Sequence, residues 1–147
     1  MSPCKENDLV YLLNMLERIG KIWDYTENIK NPKELFELNK QMNLNASLTL
    51  LSNIGENVSK ISINLKEEYP NIEWQQIKDF RNRITHNYEG VDLKLVYEII
   101  TNDLKVLKQE IEKIIKERLK QKIFDIEEIK VSKESKYYKY IDFEKIV

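Results

Sequence analysis

Apolar residues are arranged along the chain in stripes with helical spacing. Leu9, Leu12, Leu13, Leu16, Ile19 and Trp23 recur every three or four positions, which gathers them on one face of an α-helix. Asn7 or Asp8 is suited to cap its start, and the stripe stops at "TENIKNP". There Asn31 can cap a second helix and Pro32 fits its first turn. Leu35, Met42, Ala46, Leu50, Ile54, Val58 and Ile61 read as one further stripe. Its asparagine-rich middle, "NKQMNLNAS", lowers helix propensity, so a bend or break is expected there. "KEEYPNIEW" interrupts the pattern, and Asn71 can cap a third helix from about Ile72 to His86, with Trp74, Ile77, Phe80 and Ile84 facing the core. Asn87 and Gly90 in "NYEG" suit a helix end. Asp92 is the next N-cap, with Val91 and Val96 spaced for a hydrophobic staple. A fourth helix then carries Ile99, Ile100, Leu104, Leu107, Ile111, Ile114, Ile115 and Leu119.

Beyond about Lys122 the helical period fades. The alternating stretch "IKVSKESKYYKYIDF" is compatible with a strand, a hairpin or a partly ordered extension. Only three glycines and three prolines occur in 147 residues, too little turn chemistry for many short strands. The expected fold is therefore all-α: an antiparallel, up-and-down bundle of four to five helices over residues 1–122. Residues 123–147 are expected to form a C-terminal extension of open structure.

Composition narrows the class. Apolar residues make up 41% of the chain, enough for one core, and no apolar run approaches the ~20 residues that span a bilayer. The start "MSPCKENDLV" lacks the apolar stretch of a signal peptide, so a soluble, cytoplasmic protein without membrane association is expected. The single Cys4 has no partner for an internal disulfide or a cysteine-rich metal site. Charged residues reach 33% but balance to a net charge of −1. A strongly basic nucleic-acid binder is thus absent, although a local basic patch or a face built in an oligomer would suffice for RNA. The sequence holds no glycine-rich phosphate loop and no internal repeat.

One stretch concentrates unusual chemistry. "FRNRITHNYEGVD" (80–92) holds Arg81, Arg83, Tyr88 and the only histidine, His86. On a helical wheel His86 falls opposite Ile77, with Asn82 one turn earlier on the same outer face, while Arg81 lies nearer the edge of the apolar stripe. Two readings follow from spacing alone. In the first, His86 is a surface residue favoured by the helix dipole, and Arg81 and Arg83 are solvated or paired with Glu73, Asp79 or Glu89. In the second, an arginine offers a planar fork to phosphate oxygens and a histidine moves protons near neutral pH. Together they could cleave RNA without a metal or cofactor. His86 would act on the 2′-hydroxyl proton or the leaving oxygen, and Arg81 would stabilise the phosphorane charge. With one histidine per chain, separate acid and base histidines would have to come from two chains, which makes a two-fold dimer attractive.

"RNRITHNYEGVD" resembles the Arg-x4-His-x-Tyr signature of the HEPN superfamily, specifically its HepT-like toxins. "LLSNIGENVSKIS" (50–62), "YPNIEWQQIKDFRNRITHNYEGVD" (69–92) and "LVYEIITNDLKVLKQEIEKI" (95–114) stand in the family's order. The resemblance covers about residues 7–120. It implies a helical-bundle endoribonuclease toxin of a prokaryotic toxin–antitoxin pair, a homodimer with both motifs in a shared cleft. Arg81 and His86 match the family's catalytic pair, and Asn82 the polar position beside the arginine. Tyr88 matches the tyrosine that a partner nucleotidyltransferase antitoxin of the MntA type modifies with AMP. Such a group would place bulk and negative phosphate in the cleft, excluding RNA and engaging Arg81. No cofactor and no metal ligands are implied. Gly55-Glu56 matches a recurrent family feature, with the glycine permitting close helix approach and no catalytic role assigned to Glu56. The rival reading keeps the same fold as a non-catalytic substrate-binding or docking partner of a nucleotidyltransferase; a nucleotide-binding regulator is a third. Tyr137, Tyr138 and Tyr140, interleaved with Lys133, Lys136 and Lys139, suit either a solvated or partner-docked tail or a surface that stacks bases.

Overall fold

A computed structural model describes residues 7–147; Cys4 lies outside them. The described residues form helices and turns with no strand, the expected all-α bundle. Helix α1 (Asp8–Tyr25) buries Leu9, Leu12, Leu13, Met15, Leu16, Ile19 and Ile22. Side chains of this size contribute about 1.5–3 kcal/mol each when fully buried, so α1 anchors the core. Asn7 makes no side-chain cap. Asp8 instead reaches across the bundle, accepting from the backbone N–H of Ser62 at 2.8 Å and its hydroxyl at 2.6 Å.

The second stripe divides. Asn31 caps the short α2 (Pro32–Glu37) by accepting from the Glu34 N–H, with Pro32 in the first turn as expected. A turn at Leu38–Gln41 follows, in which Asn39, Lys40 and Gln41 all hold left-handed backbone (φ 48°, 55° and 71°). This is the break the asparagine-rich stretch predicts. Helix α3 (Met42–Lys60) then buries Leu44, Ser47, Leu48, Leu51, Ile54, Gly55, Asn57 and Val58. Met42 is exposed and Leu50 only half-buried, so the stripe expected at Met42, Ala46 and Leu50 lies off the core face. Steps of four residues drift by about 40° each at 3.6 residues per turn; the observed face alternates steps of three and four.

A short helix that the apolar pattern does not predict, α4 (Ile63–Glu68), follows; its N-cap Ser62 accepts from the Leu65 N–H. The motif helix α5 runs Trp74–His86, two residues shorter at its start than expected. Asn71 does not cap it; its amide donates to Glu110 Oε2 at 2.7 Å. Trp74 packs, with its indole N–H on the Tyr69 carbonyl at 3.0 Å. The end of α5 also differs from expectation. No glycine adopts positive φ, and Asn87 (φ −148°) leads into a single turn at Tyr88–Gly90. Asp92 caps α6 (Leu93–Glu98) through the N–H groups of Lys94 and Leu95. A wider π-turn at Ile99–Asp103 joins it to α7 (Leu104–Lys120).

Helix α3 lies between α1 and α5, and α1 also packs on α7. The α1–α3 pairing is antiparallel: Asp8, Asn14 and Arg18 meet Ser62, Asn57 and Asn53 in reverse order. The extension forms no strand. Residues Ile126–Lys133 make α8, capped by Asp125, and a last turn covers Phe143–Lys145. Phe124, Ile129, Phe143 and Ile146 are all buried in the common core. Between them the chain lies across α1: the Tyr138 hydroxyl donates to Asn14 Oδ1 at 2.8 Å and the Tyr140 N–H to the buried Glu17 carboxylate at 2.8 Å. At that crossing Gly20 has no side chain for good reason, since a Cβ would sit 2.5 Å from the Tyr140 Cβ.

Candidate functional site

Helix α5 meets α3 at an unusually small residue. A Cβ on Gly55 would lie 2.4 Å from the Arg81 Cβ and 2.8 Å from its Cγ. Glycine therefore lets the stem of Arg81 run directly over the α3 backbone, as the sequence suggested. Close approach fixes where the guanidinium ends: Arg81 Nη1 pairs with Glu56 Oε1 at 3.1 Å. The Arg81 side chain is 23% exposed and Glu56 47%, so the pair opens to solvent on one side. Arg81 Nε is buried and has no partner, leaving part of the fork uncommitted. The expected local partners Glu73, Asp79 and Glu89 do not take Arg81. Glu56 was missed as its partner because the pairing depends on two helices packing; the glycine before it was the available signal.

His86 is the final residue of α5 and is exposed, as is Asn82 one turn earlier. Both point outward as the wheel predicts. Arg81 and His86 stand five positions apart, about 140° around the axis and ~7.5 Å along it. Within one chain they therefore share a helix end without touching. His86 has no hydrogen bond to another described side chain, which leaves both ring nitrogens available.

Tyr88 turns back onto α3. Its hydroxyl donates a short hydrogen bond to Asn45 Oδ1, and partial burial raises the phenol above its ordinary pKa. The ring is nevertheless 43% exposed. Asn45 and Glu56 are eleven positions apart on α3, roughly 16 Å along its axis. The Tyr88 hydroxyl and the Arg81 guanidinium are thus seated at opposite ends of the α3–α5 contact, with His86 close to Tyr88 in sequence.

A groove of about 610 Å³ opens on the other side of α5, lined by Ile77, Phe80, Arg83, Leu95, Ile99 and Leu107 among others. Leu51, Ile54, Ile72 and Leu104 in its lining are buried, whereas Ile77, Phe80, Ile99 and Leu107 are only partly buried. Val106 at its margin is 59% exposed. This is apolar surface that one chain leaves uncovered beside the motif helix.

The family model for HepT-like ribonucleases matches residues 15–114, a span that contains α3, α5 and every motif residue. The chain belongs to the HepT-like ribonuclease family. Among its relatives is "Putative RNase MJ1216" of Methanocaldococcus jannaschii, 34% identical over 113 residues, 77% of this chain and 91% of that protein. "Putative RNase MJ0125" of the same organism is 32% identical over 113 residues, 77% of this chain and 95% of that protein. "Probable ribonuclease HepT" of Thermococcus cleftensis is 29% identical over 106 residues, 72% and 94% of the two chains. No solved structure gives a significant match. HepT-like membership makes the chain an RNase of the HEPN type, within a family of toxins from toxin–antitoxin pairs. The family model stops at residue 114, so α8 and the strap across α1 lie outside it. No helix of the described residues is long and apolar enough to cross a membrane.

Proposed function

We propose that this HepT-like chain is a metal-independent endoribonuclease toxin that cleaves RNA with Arg81 and His86, assisted by Asn82, in a dimer cleft. The observation that carries this is the seat of Arg81. Gly55 and Glu56 hold its guanidinium in a fixed place at the protein surface, while the same helix leaves His86 free. The chemistry needs only these groups. The 2′-oxygen attacks phosphorus as its proton is removed, the bond to the 5′-oxygen breaks, and that oxygen receives a proton. Arg81 donates to the non-bridging oxygens as charge builds on them, and His86 carries one of the two proton transfers. A second histidine comes from a second copy. That copy has to face the outer side of α5, where Asn82 and His86 are exposed; the apolar groove at Ile77 lies about 180° around the helix from His86.

Cleavage of single-stranded RNA by the purified chain in excess chelator tests the proposal. Products ending in 2′,3′-cyclic phosphate and 5′-hydroxyl are expected. RNA bound but left uncut would assign the fold to a docking module instead, and full cleavage by a chain that stays monomeric in light scattering would remove the shared cleft.

Control is assigned to Tyr88 and a nucleotidyltransferase antitoxin of the MntA type. The phenol oxygen attacks the α-phosphorus of ATP, pyrophosphate departs, and the phenolic proton must pass to a base. A phenol is protonated at neutral pH and burial raises the Tyr88 pKa further; the scheme gives the role of that base to the partner enzyme. Tyr88→Phe is expected to resist AMP transfer and to remain toxic when the partner is co-expressed. Mass spectrometry of the intact chain checks this, and AMP found on another residue would remove Tyr88 from the scheme.

A further inference from the structure

The motif lies on one flank of α3; on its other flank is a second groove that the catalytic reading does not use. It measures about 430 Å³ and is lined by Asn14, Arg18, Lys21, Leu50, Ser135, Tyr137 and Tyr138. Two of these are cationic and two aromatic, and none is acidic. α1 and α3 form its floor, and the C-terminal extension, which the family model does not reach, forms a wall.

Hydrogen bonds hold that floor rigid. The Tyr138 hydroxyl donates to Asn14 Oδ1, Asn14 Nδ2 to Asn57 Oδ1 at 3.1 Å, and Asn57 Nδ2 to Asn53 Oδ1 at 3.1 Å. Arg18 closes the series by donating from Nε to the same Asn53 oxygen at 2.8 Å. Arg18 is thereby held through Nε, and its two terminal nitrogens have no partner among the described residues. The nearby acids are occupied elsewhere: Glu17 is 2% exposed and accepts from the Tyr140 N–H, and Asp24 accepts from the Tyr140 hydroxyl at 2.9 Å. Tyr138 is fixed by its bond to Asn14, but Tyr137 stands free at 73% exposure, with Lys136 Nζ 5.4 Å from its ring centre.

Position connects this groove with the motif. Arg18 is tied to Asn53 and Arg81 to Glu56, and residues three apart on a helix are neighbours, about 5–6 Å between Cβ atoms. The two guanidinium groups therefore flank one turn of α3, within reach of a short stretch of one strand. A fixed arginine fork, a lysine and an exposed aromatic face are the parts from which proteins build single-strand contacts: cations for phosphate oxygens and a ring for base stacking.

We infer that this groove is a second RNA subsite, beyond the scissile bond. Arg18 and Lys21 contact phosphates of the single strand and Tyr137 stacks on a base. The inference rests on the nuclease reading of α5 for its substrate, yet its test reads binding alone. The full-length His86→Ala chain is titrated against a fluorescein-labelled single-stranded oligoribonucleotide, followed by anisotropy at several salt concentrations. Adding Tyr137→Ala is expected to weaken binding about 5- to 150-fold, the effect of losing one stacked base. Adding Lys21→Gln lowers the slope of log Kd against log salt by about 0.7, the effect of one lost phosphate contact on a single strand. Lys116→Gln, a charge loss at an exposed site on α7, serves as the control and retains parent affinity. Tyr137 is exposed, so its removal leaves the fold intact, and circular dichroism verifies this for each variant.

Binding unchanged in both Tyr137→Ala and Lys21→Gln overturns the inference, as does a His86→Ala chain that binds no oligonucleotide. Unchanged RNA binding together with release of a co-purified nucleotidyltransferase also overturns it, and assigns the groove to a protein partner. Failure of the nuclease reading is recognised separately, as RNA left uncut by the chain with its motif intact.

Discussion

Replacing His86 by alanine is expected to lower RNA cleavage by about 10²- to 10⁴-fold, the usual contribution of a positioned general acid or base. Arg81→Ala is expected to cost about 10²- to 10³-fold through lost stabilisation of the phosphorane. The interpretation depends on separating catalysis from stability, and magnitudes do so. His86 is exposed at the end of α5, and its contribution there is limited to a dipole interaction of about 0.3–1 kcal/mol. A hundredfold loss of rate corresponds to about 2.7 kcal/mol in the barrier. Reduced folding therefore cannot imitate it in a protein of ordinary stability. Arg81→Lys makes the test sharper: the charge stays, but the planar fork that reaches Glu56 and a phosphate together is lost. Single-turnover cleavage beside thermal melting checks all three variants. Full activity in both alanine variants would end the assignment.

Gly55→Ala has the largest expected effect on the fold around the site. Its new Cβ would lie 2.4 Å from the Arg81 Cβ and 3.3 Å from the Ile77 carbonyl oxygen. A flexible side-chain tip could move aside, but a Cβ is fixed to its helix, so α5 itself has to shift from α3. Overpacking of this kind costs about 1–3 kcal/mol, which a thermal melt detects as a lowered midpoint. The activity loss should exceed what that destabilisation explains, because the displaced helix carries both Arg81 and His86, and small misplacements of reacting groups cost up to about a hundredfold in rate. Ser59→Ala, one turn away on an exposed position of the same helix, provides the comparison and should match the parent in melting midpoint. A Gly55→Ala chain with parent stability and parent activity would mean the close contact is dispensable.

Much of this was legible because helical periodicity is a local property. The stripes of α1 and α7 follow from residues three and four apart, and the Asn31–Pro32 and Asp92 caps follow from side chains beside the N–H groups they satisfy. The outward direction of Asn82 and His86 needed only the wheel. What escaped depends on distant partners. Arg81 finds Glu56, and Asp8 finds Ser62, only after helices far apart in sequence come together. Alternation in "IKVSKESKYYKYIDF" suggested a strand, but the described residues hold no other strand to pair with, and unpaired strand N–H groups would gain nothing on burial. The extension instead satisfies Tyr138 and Tyr140 on polar atoms of α1. Those tyrosines were visible as a group, but sequence could not divide them into two that brace the fold and one that faces solvent.

The left-handed turn before α3 carries a consequence for control of the site. Three successive non-glycine residues, Asn39, Lys40 and Gln41, hold positive φ, each at a cost of about 1–2 kcal/mol. That tension sits at the end of α3 that carries Asn45, the acceptor of the Tyr88 hydroxyl. The seat of Arg81 lies about three turns further along, under the tight contact at Gly55. Asn45 is exposed and Tyr88 is 43% exposed, so the tyrosine hydroxyl can leave Asn45 without disturbing the Arg81 contact at Gly55. In the proposed scheme, a modifying enzyme can then reach the tyrosine hydroxyl without first dismantling the nuclease it disarms.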